Sequence, residues 1–161
     1  MEDILRVSKL SFSFGKYQVL NNVEFSLQSG EIVGLIGANG AGKTTLIKTI
    51  LSLYKNFSGK IEINSKDYVG IVEEPGFNLA FSGIENLKYL LEPEEYVQAH
   101  EYIDLFNMSQ FIKNPVRSYS QGMKQRLALA YVFSSKSNLA LLDEPMNALD
   151  ASGIYTLVDN Q

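Results

Sequence analysis

Apolar positions along the chain have two kinds of spacing: short runs typical of strands and longer segments typical of helices. Strand patterns occur at residues 4–10, 19–27, 32–36, 61–63 and 68–72. The second alternates around Val23, Phe25 and Leu27, which predicts a half-buried antiparallel strand. Residues 32–36 are continuously apolar, which predicts a short strand that is buried on both faces.

Helical spacing occurs once between the strand patterns and again after them. It predicts a helix over residues 43–53, with apolar side chains at Leu46, Ile47, Ile50 and Leu51. Ser82 and Glu85 form a capping box before a second helix, and Pro93 suits the first turn of a third. The apolar side chains of that third helix are Tyr96, Val97, Ile103 and Phe106. A last helix is predicted over 121–133, before a buried strand at 139–142.

Composition narrows the possible classes of protein. A chain of 161 residues with 45% hydrophobic and 20% charged residues is expected to form one domain with a buried core. The net charge of −4 argues against a nucleic-acid partner. There is no cysteine, which excludes a disulfide framework and a thiolate metal site. The longest apolar run covers residues 127–133 and is too short to span a membrane, so we expect any membrane role to be peripheral.

A glycine-rich segment follows the third strand pattern. Residues 37–44, GANGAGKT, match G-x-x-x-x-G-K-[ST] between an apolar run and a helix. Glycine permits positive φ, so the amide groups can form a concave anion site at the start of the helix. The pattern therefore predicts a phosphate-binding loop, whose backbone contributes Gly37, Asn39, Gly40, Ala41 and Gly42.

Three side chains at the end of this loop have distinct predicted roles. Lys43 places a positive charge where the β- and γ-phosphates of ATP would lie. The hydroxyl of Thr44 is expected to bind Mg²⁺, and Thr45 is expected to meet the α-phosphate.

An apolar run that ends in two acids supplies candidate groups for hydrolysis. In LALLDEP, residues 139–145, Asp143 is expected to bind Mg²⁺ directly or through water. Glu144, one residue later, is expected to orient and deprotonate the attacking water. The two segments together predict an ATPase.

With these segments, the sequence resembles the ATP-binding cassette family. The resemblance is carried by GANGAGKT at 37–44, EEP at 73–75, YSQGMKQR at 119–126, LLDEP at 141–145 and NALD at 147–150. The sequence of residues 71–87 and 119–130 is similar to that of cassettes from bacterial peptide-antibiotic resistance and bacteriocin-immunity exporters. The resemblance implies an α/β fold: a P-loop NTPase core with an N-terminal antiparallel β part and a helical insert at about 78–136.

The resemblance also implies roles for residues outside the loop. Ser120 and Gly122 stand in the family's signature element, which binds the γ-phosphate held by a second cassette in a head-to-tail dimer; Ser120 also reads as an ordinary helix N-cap. Phe14 stands where the family stacks an aromatic ring on adenine, and Tyr17 is the alternative. Glu73 replaces the usual glutamine that senses Mg²⁺, and a carboxylate there could still bind the metal.

The family's usual length bears on activity. Family members continue past NALD with a strand that carries a switch histidine, so residues 1–161 read as a single truncated cassette whose C-terminal strands are missing. The expected function is ATP hydrolysis in an exporter, on the cytoplasmic face of the plasma membrane through a permease subunit. The alternative is a nucleotide-binding fragment with little or no hydrolysis. Asp150 is expected either to cross the dimer interface or to cap a helix.

Overall fold

The computed structural model describes residues 3–65, 67–71 and 76–145. The chain divides into two compact units. The described residues of the first unit are 3–65, 67–71 and 137–143, and those of the second are 76–136 and 144–145. No helix in these described ranges is long and apolar enough to cross a membrane.

The first unit contains a three-stranded antiparallel sheet. Its strands are β1 (Asp3–Phe14), β2 (Tyr17–Gln28) and β3 (Phe57–Ile63), in the order β2-β1-β3. The strands predicted at 4–10, 19–27 and 61–63 are confirmed, and each is longer than its apolar pattern. Pairing extends the strands because backbone hydrogen bonds continue through polar positions that an apolar pattern does not mark.

A helix and two parallel strands complete the first unit. Helix α1 (Lys43–Ile50) is shorter than the predicted 43–53, and strand β4 (Tyr68–Ile71) pairs in parallel with β5 (Leu139–Leu142). The hydrophobic core joins side chains from the antiparallel sheet, from α1 and from β5: Ile4, Leu5, Val7, Leu10, Phe12, Leu20, Leu46, Ile50 and Leu139. The motif segments on α1 and β5 are therefore anchored in one core.

The prediction of a buried strand over residues 32–36 is wrong. Residues 31–38 form neither strand nor helix, and the side chains of Ile32 and Ile36 are 76% and 95% exposed. An apolar run becomes a strand only where neighbouring strands satisfy its N–H and C=O groups. Within the described residues, no strand pairs with this segment.

The second unit is helical. It contains α2 (Gly83–Leu90), α3 (Pro93–Leu105), one turn of 3₁₀ helix (Val116–Ser118) and α4 (Gln121–Ser134). These elements lie inside the range predicted for the helical insert, although the treatment of 78–136 as a subdomain stays a prediction. The helix over 121–133 and the first-turn position of Pro93 are confirmed.

The capping box before α2 is confirmed in atomic detail. Ser82 Oγ accepts a hydrogen bond from Glu85 N at 3.2 Å, and Glu85 Oε2 accepts one from Ser82 N at 2.7 Å. These bonds from the Ser82 backbone and hydroxyl lower the pKa of the Glu85 carboxyl. The apolar assignment in α3 is partly wrong, because Ile103 is buried whereas Val97 is 71% exposed.

A carboxylate at the start of α3 joins this helix to the residue that follows α4. Glu95 Oε1 accepts a hydrogen bond from the backbone N–H of Lys136 at 2.8 Å, and its Oε2 accepts one from Glu92 at 2.9 Å. The N–H of Lys136, followed by that of Glu92, lowers the pKa of the Glu95 carboxyl. The ionised side chain therefore stabilises the packing of α3 on α4.

Candidate functional site

The glycine-rich segment enters α1 through two residues with positive φ. Gly40 has φ 81°, and Gly42, the N-cap of α1, has φ 93°. A Cβ atom at Gly42 would lie 3.0 Å from Cγ1 of Val19 and 3.3 Å from the Val19 carbonyl oxygen. Glycine at 42 thus satisfies two requirements at once, because the backbone is left-handed and strand β2 passes close to it.

Lys43 joins two residues at the start of the loop. Its ammonium donates hydrogen bonds to the carbonyl oxygens of Gly37, at 2.9 Å, and Ala38, at 3.1 Å. The N–H of Ala41 donates to the same Ala38 oxygen at 3.1 Å, which closes a turn. The ammonium therefore lies across the concave loop, where a phosphate oxygen could replace the carbonyl acceptors.

A hydrogen bond joins the loop to the acidic end of β5. Thr44 Oγ1 donates to Asp143 Oδ2 at 2.7 Å, across 99 positions of sequence. Both side chains are partly buried. A hydroxyl and a carboxylate are hard oxygen ligands of the kind that Mg²⁺ binds, and Mg²⁺ uses few protein ligands beside phosphate oxygens. The pair predicted as metal ligands is thus brought together, and its chemistry fits that ion.

Two further site residues have defined local surroundings. The backbone oxygen of Thr45 accepts a hydrogen bond from the buried hydroxyl of Thr49 at 2.7 Å. Glu144 is exposed and has φ 49°, in the left-handed region that side-chain-bearing residues rarely adopt. Such backbone conformations occur disproportionately at functional sites. The phosphate contact of Thr45 and the catalytic role of Glu144 stay predictions.

The hairpin between β1 and β2 exposes the two candidate aromatic rings. Phe14 pairs with Tyr17 across the turn at Gly15, and their side chains are 50% and 72% exposed. The ring of Phe14 is perpendicular to two others: Phe12, with centroids 4.9 Å apart, and Tyr54, at 5.4 Å. Within the described residues, no aromatic contact involves Tyr17, so the structure favours Phe14 as the fixed ring.

The sequence reading missed Tyr54. This residue follows α1 and stacks on Phe12 with a centroid separation of 5.1 Å and an interplanar angle of 15°. It lies one position beyond the helix predicted over 43–53, and its residue type alone indicates no role. Phe12 and Tyr54 are far apart in the sequence, and no local pattern relates them, so their contact could not be predicted.

The predicted signature element begins α4 in the second unit. Ser120 is the N-cap, and its Oγ accepts a hydrogen bond from Met123 N at 3.3 Å. The Ser120 N–H in turn lies 3.4 Å from the Met123 sulfur. A Cβ atom built on Gly122 would meet no atom within 4 Å. The first turn of α4 is therefore capped, with open space beside Gly122.

Tyr119, the residue before the N-cap of α4, is held in place by its side chain. It is buried, and its hydroxyl donates a hydrogen bond to the Phe111 carbonyl oxygen at 3.0 Å. Burial raises the pKa of the Tyr119 hydroxyl. Tyr119 therefore both fills the core and bonds to a neighbouring loop.

Some predicted site residues lie outside the described residues. These are Glu73, the rest of the 73–75 element, and the 147–150 element with Asp150. Among the described residues, no group of three or more acidic, histidine or cysteine side chains could hold a metal ion. The chain's single histidine, His100, is exposed on α3, and its Nδ1 lies 3.1 Å from the Tyr96 carbonyl oxygen.

Comparisons with known proteins identify the family of the chain. The chain is 35% identical to the uncharacterized ABC transporter ATP-binding protein YdbJ of Bacillus subtilis, over 99% of this chain and 56% of the relative. It is 34% identical to the lantibiotic transport ATP-binding protein SrtF of Streptococcus pyogenes, over 96% of this chain and 72% of the relative. The chain thus spans little more than half the length of the Bacillus protein.

A solved structure described as the ATP binding subunit of an ABC transporter has the same fold. It superposes with a TM-score of 0.85 and 29% identity, over 97% of this chain and 72% of the other. The model of the ABC transporter family matches residues 20–147, which include both the loop and the acidic strand end. The bond between Thr44 and Asp143, the fold and this match lead to one conclusion: the chain belongs to the ATP-binding cassette family of ABC transporters.

Proposed function

We propose that this chain binds MgATP at residues 37–45 and hydrolyses it, as the ATP-binding subunit of a bacterial exporter. The observation that carries the proposal is the 2.7 Å hydrogen bond between Thr44 and Asp143. It supports the proposal because the hydroxyl proposed to bind Mg²⁺ lies next to the carboxylate that follows β5, and P-loop enzymes hold Mg²⁺ with such a pair during phosphoryl transfer.

The loop would bind the triphosphate through charge and backbone donors. The amides of residues 37–45 surround the phosphates, and the Lys43 ammonium exchanges its two carbonyl acceptors for phosphate oxygens. Thr44 and Asp143 would hold Mg²⁺, which when bound neutralises charge on the phosphate oxygens. Phe14 would stack on the base with the half of its ring that is exposed.

Hydrolysis would depend on Glu144. Its carboxylate would accept a proton from the attacking water while the oxygen–phosphorus bond forms and ADP leaves. The exposure and positive φ of Glu144 support this role, since strained backbone conformations cluster at functional sites. Glu73 is proposed as a further metal contact on the resemblance alone.

The proposed partners follow from the family. A second cassette would present Ser120 and Gly122 to the γ-phosphate, in a head-to-tail dimer around two nucleotides. A membrane permease would hold the dimer at the cytoplasmic face of the plasma membrane and would contact the helical insert. The name of the Streptococcus relative, a lantibiotic transport protein, supports a peptide antibiotic as the exported substrate. No nucleic-acid partner is proposed, given the net charge of −4.

Phosphate release from MgATP tests the proposal. We expect wild-type protein to release phosphate and Glu144→Gln to lose roughly 10²–10⁴-fold in rate while it still binds MgATP. Glu101→Gln, an exposed change of the same kind on α3, is the matched control and should keep the wild-type rate. Equal rates in the wild type and in Glu144→Gln would remove Glu144 from the mechanism.

A second candidate function is nucleotide binding without useful hydrolysis. Saturable MgATP binding by the wild type, with phosphate release no faster than in buffer without protein, would select this candidate. Absence of MgATP binding by folded protein would exclude both.

A further inference from the structure

Three aromatic side chains of the first unit form a compact group that the proposed chemistry uses only in part. Phe12 and Tyr54 are stacked, with centroids 5.1 Å apart and ring planes 15° apart. The ring of Phe14 stands at 86° to Phe12 and at 87° to Tyr54. The Phe14 ring therefore contacts a flat pair of rings, and its orientation is restrained by both members.

Burial increases from the candidate base-binding ring toward the core. Phe14 is 50% exposed, Tyr54 is half-buried and Phe12 is 6% exposed. Perpendicular aromatic pairs at centroid separations of about 4.5–7 Å are favourable beyond the area that they bury. Because Phe12 is fixed in the core and Tyr54 lies parallel to it, the pair provides a rigid support for the exposed ring.

Tyr54 is itself held by the helix that follows the phosphate loop. Its N–H lies 3.4 Å from the Lys48 carbonyl oxygen, and the Lys48 ammonium lies 5.7 Å from the centroid of its ring. A cation at that distance from a ring is attracted by its π-electrons. Tyr54 therefore connects α1, which begins at the phosphate loop, to the hairpin end that carries Phe14.

We propose that Tyr54 is a positioning residue for base recognition, acting through the ring of Phe14. The inference rests on the proposed function, because it requires that the loop bind a nucleoside triphosphate. Tyr54 sets the angle of the Phe14 ring relative to α1, so a base can stack on Phe14 while its phosphates occupy the loop. Removal of the Tyr54 ring leaves Phe12 as the single aromatic restraint on Phe14, so the Phe14 ring is held less firmly and binding of the base alone is weakened.

Two ligands separate base recognition from phosphate binding. In titration calorimetry, the affinity for MgATP includes base recognition and phosphate binding. The affinity for inorganic tripolyphosphate with Mg²⁺ reports phosphate binding alone, because that ligand has no base. We expect Tyr54→Leu to weaken MgATP binding roughly three- to tenfold and to leave tripolyphosphate binding unchanged. Tyr54→Phe keeps the ring and should bind both ligands as the wild type does. Tyr89→Leu, at a tyrosine that is 79% exposed on α2, is the matched control.

A double variant tests whether the effect passes through Phe14. In a Phe14→Leu background, the further change Tyr54→Leu should not weaken MgATP binding any more, because the ring that it positions is absent. If Tyr54→Leu does not fold, as judged by circular dichroism, Tyr54→Met replaces it, with the same expectations.

The outcomes decide between distinct explanations. Equal weakening of MgATP and tripolyphosphate, unchanged MgATP binding in Tyr54→Leu, or additive losses in the double variant would each overturn the positioning role. A wild-type protein that binds tripolyphosphate and MgATP equally well would overturn it too, and would leave phosphate binding by the loop intact. Binding of neither ligand by folded wild-type protein would instead refute the proposed function.

Discussion

The hydroxyl of Thr44 donates a 2.7 Å hydrogen bond to the carboxylate of Asp143, and so joins the first turn of α1 to the end of β5. Both residues belong to recognisable sequence motifs, but neither motif by itself predicts a hydrogen bond between them. The contact follows from the shared core, in which α1 and β5 pack with the antiparallel sheet. It also gives the most direct test of the metal site.

Replacement of Thr44 by valine should reduce the dependence of nucleotide binding on Mg²⁺. Valine keeps the branched shape and removes the hydroxyl, so the affinity for ATP with Mg²⁺ should approach that for ATP alone. The free energy of unfolding should fall by about 1–2 kcal/mol from the lost bond to a carboxylate. Calorimetric titration of ATP with and without Mg²⁺ measures the first effect.

Thr49→Val is the matched control for that variant. Thr49 lies on the same helix, is fully buried and donates its hydroxyl to the Thr45 carbonyl oxygen. Its loss should lower stability by about 0.5–1.5 kcal/mol without altering the effect of Mg²⁺. The metal site as described is wrong if both valine variants respond to Mg²⁺ like the wild type.

Alanine at Gly42 should abolish binding at the loop. The φ of 93° and the 3.0 Å approach to Val19 Cγ1 both oppose a Cβ atom, so the loop must move away from β2. We expect stability to fall by about 1–3 kcal/mol and MgATP binding to disappear. Gly30→Ala separates strain from crowding, because Gly30 has φ 84° but no atom within 4 Å of a Cβ. That variant should lose stability and keep binding; loss of binding in both would contradict a local effect.

The exposed apolar segment should promote self-association. Replacement of Ile32 and Ile36 by serine removes the two most exposed side chains of residues 32–36, at 76% and 95%. Light scattering at increasing protein concentration should show less association for this variant than for the wild type, because unpaired apolar segments recruit other chains. Stability should change by less than about 0.5 kcal/mol.

Leu53→Ser provides the comparison for the serine variant. Leu53 is 62% exposed outside the segment, so its replacement tests whether any exposed apolar residue would act in the same way. We expect association to be unchanged. A wild-type protein that stays monomeric at every concentration would show that the segment does not mediate contacts between chains.

Acid should weaken the second unit through Glu95. Two backbone N–H groups lower its pKa below the ordinary value of 4.5, so the folded state binds the proton less readily than the unfolded state does. The stabilisation is complete above pH 4.5 and is lost as the pH falls through the lowered pKa of the folded state. The free energy of unfolding of Glu95→Gln, measured with urea, should therefore fall less steeply than that of the wild type as the pH falls below 4.5.

The neighbouring acid supplies the control for that measurement. Glu94→Gln removes a charge from the same exposed turn but not the bonds to Lys136 and Glu92. It should keep the acid dependence of the wild type. An identical dependence in Glu95→Gln would mean that its hydrogen bonds do not contribute.

The parts of the molecule that the sequence predicted correctly depend on neighbours in the chain. The capping box of Ser82 and Glu85 and the glycine loop are local, so their residue types suffice to predict them. The prediction of a strand over residues 32–36 is wrong because a buried strand requires neighbouring strands, which an apolar run does not specify. Tyr54 was missed for the same reason, since its contacts with β1 depend on how α1 packs. Local backbone features are thus easier to predict than long-range packing.

The two hydrogen bonds from Lys43 to Gly37 and Ala38 have a kinetic consequence. These bonds hold the backbone of residues 37–43 in one conformation, so binding of a phosphate chain should require little reorganisation of that backbone. Association should then proceed at a rate set by diffusion and charge, whereas exchange of the ammonium's partners determines how long the ligand remains.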